Sequence, residues 1–229
     1  MSSKILVLPG DGIGVEVADQ AIRVIEKLNE QGLNASYEKD LVGGASYDVN
    51  GEPLTNSVLE KAKNSDAILL GAVGGSKWDD VERSKRPEAG LLGLRKELEL
   101  FANLRPALVF DALVSASTLK NEVVNNLDIM IVRELTGGVY FGQPRGIEDT
   151  PNGKKAIDTQ IYYDYEIDRI ARVAFDLARK RNNKVTSVEK ANVMETGVLW
   201  REIVKETHKD FSDITPVSYT HLRAHETCL

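Results

Sequence analysis

One ten-residue segment, residues 133–142 (RELTGGVYFG), carries side chains whose chemistry suits a small acid. It follows the apolar run 127–132, which predicts a buried strand, and its polar, glycine-rich sequence predicts a loop at that strand's carboxyl end. Ligands bind at this edge of open α/β sheets. The guanidinium of Arg133 could bind a carboxylate through two hydrogen bonds, and the phenol of Tyr140 could donate a proton. The segment therefore predicts a site for a small carboxylic acid.

A second candidate surface lies in residues 88–95 (EAGLLGLR), which predict the start of a helix. Leu91 and Arg95 are four residues apart and share a face, Leu92 lies beside that face, and Glu88 precedes Leu92 by one turn. Such a surface could line a pocket that is half apolar and half cationic. The alternative is an ordinary amphipathic helix with buried leucines and solvated charges.

Two more cations stand at positions where chemistry is possible. Arg105 lies inside an apolar stretch, where it must find an anion, either a ligand or a structural partner. Lys190 follows the predicted strand 184–189, and a lysine at such an edge can serve as a general base. The alternative for Lys190 is a solvated surface charge.

Glycine-rich sequence follows two predicted strands. Residues 10–14 (GDGIG) depart from the dinucleotide fingerprint because its last glycine would fall at Val15, and Asp11 would repel a pyrophosphate. A tight turn and a ligand-binding loop both remain open for this segment. Residues 71–77 (GAVGGSK) are rich in small residues, which let a cofactor approach the backbone closely.

The elements that must position these residues alternate between strand and helix. Strands are predicted at 4–8, 35–39, 67–73, 127–132, 156–163 and 184–189, and helices at 55–63, 90–100, 165–181 and 198–207, with another helix after residue 14. This alternation predicts an α/β fold with parallel pairing. A weak change of composition near Asn103 suggests a domain boundary.

Whole-chain properties disfavour several classes of protein. The net charge of -6 over 229 residues disfavours nucleic acid or an anionic membrane as a partner. No apolar run approaches the about 20 residues of a membrane span, and no signal-peptide pattern is present. The single cysteine, Cys228, excludes an intrachain disulfide. We expect a soluble, cytoplasmic protein.

The last thirteen residues, 217–229, have no clean periodicity and hold two of the three histidines. We interpret them as a non-native tail left by cloning or sequencing and exclude them from the fold prediction. His221 and His225 have a spacing that can bind metal, but in this tail we attribute it to accident.

Five motifs, taken in order, resemble those of one enzyme family. They are residues 8–14 (LPGDGIG), 90–95 (GLLGLR), 101–106 (FANLRP), 133–142 (RELTGGVYFG) and 190–194 (KANVM). Over about residues 4–215 the chain resembles the isocitrate/isopropylmalate dehydrogenases, which are β-decarboxylating 2-hydroxyacid dehydrogenases.

The resemblance implies the family's α/β/α sandwich with two domains, the first of them incomplete. Residues 1–102 would form the N-terminal part of the cofactor-side domain, and residues 103–216 a second domain with substrate and dimer-interface elements. Family members are homodimers in which the counterpart of Lys190 completes the active site of the neighbouring subunit.

The resemblance also implies roles for individual residues. Arg95, Arg105 and Arg133 would bind the two carboxylates of a malate core, and Leu91 and Leu92 would contact an alkyl substituent. Glu88 would lie near the nicotinamide of NAD, and Gly75, Ser76, Lys77 and Trp78 would lie along the cofactor. The family's Mg²⁺ or Mn²⁺ is held by aspartates beyond the point where this chain leaves the pattern, so no metal ligand is assigned here.

The expected reaction is NAD-dependent oxidative decarboxylation of 3-isopropylmalate in leucine biosynthesis. Lys190 would accept the C2 hydroxyl proton through a water, the metal would stabilise the enolate formed on loss of CO₂, and Tyr140 would protonate the enolate carbon. The leucines favour this substrate over isocitrate, whose third carboxylate would need polar donors. The alternatives are a sister enzyme for tartrate, D-malate or isocitrate, a non-catalytic dicarboxylate-binding fragment, and a fragment that does not fold.

Overall fold

The computed structural model describes residues 2–219, which divide into two compact units. The first unit ends at Leu100 and the second begins at Phe101. The boundary predicted from sequence, between residues 102 and 103, lies close to this division. The roles expected for the two parts stay predictions.

The first unit contains three strands and four helices. They are β1 (Ser3–Gly10), α1 (Ile13–Asn29), β2 (Ala35–Lys39), α2 (Gly44–Asn50), α3 (Asn56–Lys63), β3 (Ala67–Ala72) and α4 (Pro87–Glu97). The strands form a parallel sheet in the order β2-β1-β3, so the prediction of parallel pairing is confirmed here.

The central strand β1 is buried on both faces, which is why its sequence is continuously apolar. Leu6 and Leu8 pack on one face in a cluster that includes Leu94 of α4. Val7 packs on the other face against Ala18 and Ile22, which lie on one stripe of α1. Helices therefore cover both faces of the strand that leads into the GDGIG segment.

The carboxylate of Asp11 ties the carboxyl ends of this sheet together. Its Oδ2 accepts hydrogen bonds from the backbone N–H groups of Gly44 (2.9 Å) and Gly74 (2.8 Å), and its Oδ1 accepts one from Ala45 (2.7 Å). Because Asp11 is buried and receives two N–H groups from the first turn of α2, it acts as a helix cap from a distant strand. A Cβ on Gly14 would lie 2.3 Å from the carbonyl oxygen of Pro9, so α1 must begin with no side chain there. The GDGIG segment is thus a tight structural turn.

The second unit has a different strand arrangement. It contains β4 (Ala102–Leu108), α5 (Asn121–Val124), β5 (Asp128–Glu134), β6 (Arg145–Thr150), β7 (Gly153–Asp158), α6 (Asp164–Arg179), β8 (Lys184–Val188), α7 (Glu195–His208) and β9 (Thr215–Tyr219). β4 pairs antiparallel with β5, β6 antiparallel with β7, and β8 parallel with β9.

Two expectations for β5 are therefore wrong. Its partner β4 runs antiparallel, so the loop after β5 does not lie at the carboxyl edge of a parallel sheet within this unit. The strand is also not buried, because Ile129 and Ile131 are 48% and 49% exposed. An apolar run reports the preference of a segment for burial, but an isolated two-stranded ribbon has too few neighbours to cover both of its faces.

The core of the second unit lies between α6 and α7. Ile167, Ala171, Phe175 and Ala178 recur at helical spacing along α6 and pack with Val204 of α7, while Phe211 and Ile214 close the same cluster. Phe175 is fully buried and stacks against Phe211 with ring centroids 5.1 Å apart. The amphipathic periodicity seen in the sequence correctly located this helix.

The predicted tail lies mostly outside the described residues, which include its residues 217–219 at the end of β9. His221, His225 and Cys228 are among the residues not described. No helix within residues 2–219 is long and apolar enough to cross a membrane.

We predict that Asp11→Ala destabilises the first unit by about 2–4 kcal/mol, because three backbone N–H groups lose their acceptor in a buried place. Urea unfolding followed by circular dichroism measures the change. The matched control is Asp19→Ala, which removes a half-exposed ion pair with Lys39 and should cost less than about 1 kcal/mol. Equal losses in the two variants would contradict the capping role of Asp11.

Candidate functional site

The end of β5 and the loop after it bring together two residues that the sequence singled out. Arg133 was expected in the loop but lies on the strand itself, paired with Asn103. The guanidinium carbon of Arg133 lies 5.2 Å from the centroid of the Tyr140 ring. This is cation–π geometry, and it leaves both groups partly accessible, with Tyr140 47% exposed. Arg145 donates a hydrogen bond from Nη1 to the backbone oxygen of Tyr140 at 2.6 Å. A guanidinium and a phenol thus share one surface.

Arg105 belongs to the same surface. In the β4–β5 ribbon, Asn103 pairs with Arg133 and Arg105 pairs with Ile131, so the side chains of Arg105 and Arg133 lie on one face as diagonal neighbours. Such neighbours have Cα atoms roughly 7–8 Å apart. The expectation that Arg105 must find an anion assumed a buried strand, but Arg105 is exposed to solvent and donates from Nε to the neutral side-chain oxygen of Asn103. Two cations on one open face suit a dianion.

A buried carboxylate holds this loop. Glu134, whose side chain is 1% exposed, accepts hydrogen bonds from Thr136 Oγ1 (2.8 Å), the backbone N–H of Gly137 (2.6 Å) and Arg169 Nη2 (2.9 Å). The Arg169 guanidinium in turn lies over the Phe101 ring, 4.5 Å from its centroid. Glu134 and Thr136 are engaged within the protein. No sequence pattern pointed to Arg169, which lies 35 residues away on α6.

The paired glycines of the loop, Gly137 and Gly138, are required because side chains pack closely against them. A Cβ on Gly137 would lie 2.7 Å from Glu166 Oε2, and one on Gly138 would lie 2.5 Å from the phenol oxygen of Tyr162. Gly138 also has a φ of 80°. Burial, together with the negative charge of Glu134, raises the pKa of the Tyr162 phenol above its usual value. Tyr162 therefore supports the loop as a neutral phenol.

Lys190 follows β8 and lines a pocket of about 170 Å³, together with Gln160, Tyr162, Met194, Thr196 and Trp200. Tyr162 meets the edge of Trp200 with ring centroids 5.3 Å apart. The Tyr162 side chain therefore packs under Gly138 and also lines the Lys190 pocket. Tyr140 does not line this pocket.

In the first unit, helix α4 presents the predicted substrate residues. Leu94 is buried in the core, whereas Leu91, Leu92 and Arg95 remain half-buried. Leu94 thus packs in the core, whereas Leu91 and Leu92 keep solvent-accessible surface. The helix is amphipathic, and its leucines are divided between core and surface.

The predicted cofactor segment forms a short turn held at both ends. Asp11 accepts the N–H of Gly74, and the turn Ser76–Trp78 is held to Asp48, which accepts hydrogen bonds from Lys77 Nζ (2.6 Å) and Trp78 Nε1 (3.1 Å).

Exposed backbone, an indole and a carboxylate lie near this turn. A Cβ on Gly74 would lie 2.8 Å from Glu88 Oε1, so Glu88 lies over this glycine. Gly75, Ser76 and Lys77 are exposed, and the nearest atoms to a Cβ on Gly75 belong to the Trp78 ring. Exposed glycine backbone beside an indole and a carboxylate offers close approach and polar contacts to NAD.

The described residues do not supply a metal site. Within residues 2–219, no group of three or more His, Cys, Asp or Glu side chains is arranged to hold a metal ion.

The sequence matches the isocitrate/isopropylmalate dehydrogenase family over residues 4–224. The chain belongs to this family. Its predicted fold class, the α/β fold of the isocitrate/isopropylmalate dehydrogenases, is confirmed by solved structures of similar fold.

Similar proteins carry consistent names. A 3-isopropylmalate dehydrogenase from Rhodopseudomonas palustris (strain BisB18) is 61% identical over 214 residues, which cover 92% of this chain and 58% of the relative. A 3-isopropylmalate dehydrogenase from Chromohalobacter salexigens is 57% identical, covering 93% of this chain and 60% of the relative. The chain thus spans about three-fifths of the length of these relatives.

Solved structures of the family superpose on most of the chain. The isocitrate dehydrogenase of Methylococcus capsulatus matches with a TM-score of 0.73 at 30% identity, over 95% of this chain and 60% of that one. A β-decarboxylating dehydrogenase of Thermococcus kodakarensis matches with a TM-score of 0.70 at 30% identity, over 95% and 57%. The family's fold therefore accounts for both units described above.

We predict that Gly138→Ala perturbs the loop that carries Tyr140, because the new methyl group would overlap the Tyr162 phenol. The matched control is Gly153→Ala, which also has a positive φ, of 106°, but faces open space. Both variants bear the backbone cost, and Gly138→Ala should lose about 1–3 kcal/mol more in chemical unfolding. Equal destabilisation would show that Tyr162 does not support the loop.

Proposed function

We propose that the full-length protein oxidises and decarboxylates 3-isopropylmalate with NAD⁺ and a divalent metal, as a cytoplasmic homodimer in leucine biosynthesis. The observation that carries the proposal is the shared face of Arg105, Arg133 and Tyr140, in a chain about 60% identical to proteins named 3-isopropylmalate dehydrogenase. On this face two cations can bind a dicarboxylate beside an acid that can protonate carbon.

Each candidate side chain then has a task. Arg105 and Arg133 bind substrate carboxylates, and Arg95 is assigned to the same substrate. Leu91 and Leu92 contact the branched alkyl group, for which their accessible apolar surface is suited. Lys190 accepts the proton of the C2 hydroxyl through a water, and in the homodimer it serves the partner subunit's site. Tyr140 delivers a proton to the substrate carbon that loses CO₂.

The cofactor-side residues are Gly75, Ser76, Lys77, Trp78 and Glu88. NAD⁺ bound along them would supply the hydride acceptor. Gly75 lets the nucleotide approach the backbone, and the indole of Trp78 offers a flat apolar surface. No step is assigned to a metal-binding residue of this chain, because the described residues hold no suitable group of ligands.

The experiment needs the complete protein. Residues 1–216 of this chain are joined to the matching C-terminal part of the Rhodopseudomonas palustris relative, and this full-length form is assayed for NADH formation with Mn²⁺. We expect turnover of 3-isopropylmalate. Turnover of D-malate, tartrate or isocitrate in its place would assign the protein to a sister enzyme, and no turnover of any of these substrates would contradict the proposal.

We predict that Tyr140→Phe in this full-length form lowers kcat by roughly 10²- to 10⁴-fold with little change in KM, because a proton donor is removed and the carboxylate binders are kept. Steady-state kinetics and CO₂ release measure the effect. Tyr163→Phe alters an exposed tyrosine of the same unit and is the matched control, expected to keep the parental rate. A parental rate in Tyr140→Phe would exclude it as the proton donor.

The second candidate function is metal-independent binding of dicarboxylates by this chain. It is favoured by the paired arginines together with the lack of a metal-ligand group among residues 2–219. Calorimetry of the chain with 3-isopropylmalate, with and without Mn²⁺, separates the two functions. Binding that needs no metal and is lost in Arg105→Ala would support the binder.

A further inference from the structure

The residue before Lys190 is a buried acid with an arginine partner. The Glu189 side chain is 1% exposed, and its Oε2 accepts a hydrogen bond from the backbone N–H of Ala191 at 2.8 Å. Its Oε1 accepts one from Arg201 Nε at 3.0 Å. Burial alone would raise the pKa of Glu189, but these hydrogen bonds outweigh it and the pKa lies below its usual value. Glu189 is therefore an anion, and it holds the backbone N–H of Ala191, the residue that follows Lys190.

Helix α7 contacts the same backbone from the other direction. A Cβ on Gly197 would lie 2.6 Å from both the Lys190 carbonyl carbon and the Ala191 nitrogen, so the helix touches the peptide unit between these residues. Gly197 and Arg201 are four residues apart and share one face of α7. One face of α7 thus provides both the close contact of Gly197 with the backbone after Lys190 and the ion pair of Arg201 with Glu189.

The turn that leads into α7 also hydrogen-bonds to Lys190 itself. The Lys190 carbonyl oxygen accepts the backbone N–H groups of Val193 (3.1 Å) and Met194 (2.9 Å). The peptide unit between Lys190 and Ala191 is therefore held in three ways. Its oxygen accepts two backbone N–H groups, its N–H donates to Glu189, and Gly197 packs directly against it. A lysine side chain has four methylene groups, so a fixed backbone sets the point from which the ammonium group reaches into the pocket.

We infer that Glu189, Arg201 and Gly197 are positioning residues for Lys190, an inference that rests on the proposed role of Lys190 as the proton acceptor. Together they hold the backbone of Lys190, which lines the same pocket as Tyr162 and Trp200. Loss of this restraint would displace the lysine without removing it. Displacement by about 1 Å can slow a reaction by roughly 100-fold even when binding persists.

A first experiment reads Lys190 directly in this chain and needs no activity. Lysines are reductively methylated with ¹³C-formaldehyde, which keeps their charge, and the Lys190 signal in NMR spectra is assigned by its loss in Lys190→Arg. In Glu189→Gln, and independently in Arg201→Lys and Gly197→Ala, we expect this signal to shift and broaden while the other lysine signals stay in place. An unchanged Lys190 signal in the folded variants would overturn the inference.

Asp213→Asn is the matched control for this measurement. It makes the same carboxylate-to-amide change in a hydrogen-bonded pair with Arg179 that the Lys190 turn does not use. We expect the control to leave the Lys190 signal unchanged. A similar displacement in the control would mean that the signal reports general loosening of the unit, which would also overturn the inference.

A second experiment measures the effect on rate in the full-length form described above. We expect Glu189→Gln to lower kcat roughly 10- to 100-fold with little change in either KM. In a Lys190→Ala background the same substitution should change the residual rate by no more than about twofold, because its effect is exerted through the missing lysine. Equal rate losses in the two backgrounds would show that Glu189 acts independently of Lys190.

The two experiments separate this inference from the proposed function. A full-length form with no dehydrogenase activity, combined with a displaced Lys190 signal in the Glu189→Gln chain, would refute the function and leave the positioning intact. Activity as proposed, combined with an undisturbed Lys190 signal, would refute the positioning alone.

Discussion

Each loop that carries a candidate functional group is held by a buried carboxylate at the end of a strand. Asp11 follows β1 and holds the Gly74 end of the cofactor segment, Glu134 ends β5 and holds the loop that leads to Tyr140, and Glu189 follows β8 and flanks Lys190. All three are buried, and all three accept backbone N–H groups. Burial of a charge is costly unless donors surround it, so each carboxylate fixes its loop where its donors are. The positions of the accessible candidate groups therefore depend on these three buried carboxylates.

The two units combine such buried carboxylates with different arrangements of strands. In the first unit, a parallel sheet covered on both faces brings the ends of β1 and β3 together, and Asp11 joins them to α2. In the second unit the antiparallel β4–β5 ribbon sets Arg105 and Arg133 on one face by register alone, since opposite residues of such a pair point to the same side. A one-residue change in register would move one arginine to the other face. The shared face of Arg105 and Arg133 is therefore determined by strand pairing.

Much of the fold was accessible from local sequence. Alternation of apolar runs with amphipathic periodicity located β1, α1 and α6, because a strand buried on both faces and a helix with one apolar stripe leave direct patterns. The antiparallel pairing of β5 and the exposure of Ile129 and Ile131 were not accessible, because an apolar run does not specify its partner. The hairpin of β6 and β7 was also missed in part, since its strands are mostly polar and exposed.

The sequence by itself determined the family and the chemical types of the candidate groups, because a guanidinium, a phenol or an amine is a property of the residue. It also placed Tyr140 after β5 and Lys190 after β8, whereas Arg133, expected in the loop, lies on β5 itself. Only the tertiary structure decided that Glu134 and Thr136 hold the loop from within, that Arg105 shares a face with Arg133, and that Tyr162 packs beneath Gly138. The physical reason is distance along the chain. Glu134 meets Arg169 across 35 residues, and Asp11 meets Gly74 across 63, so no local pattern records these contacts.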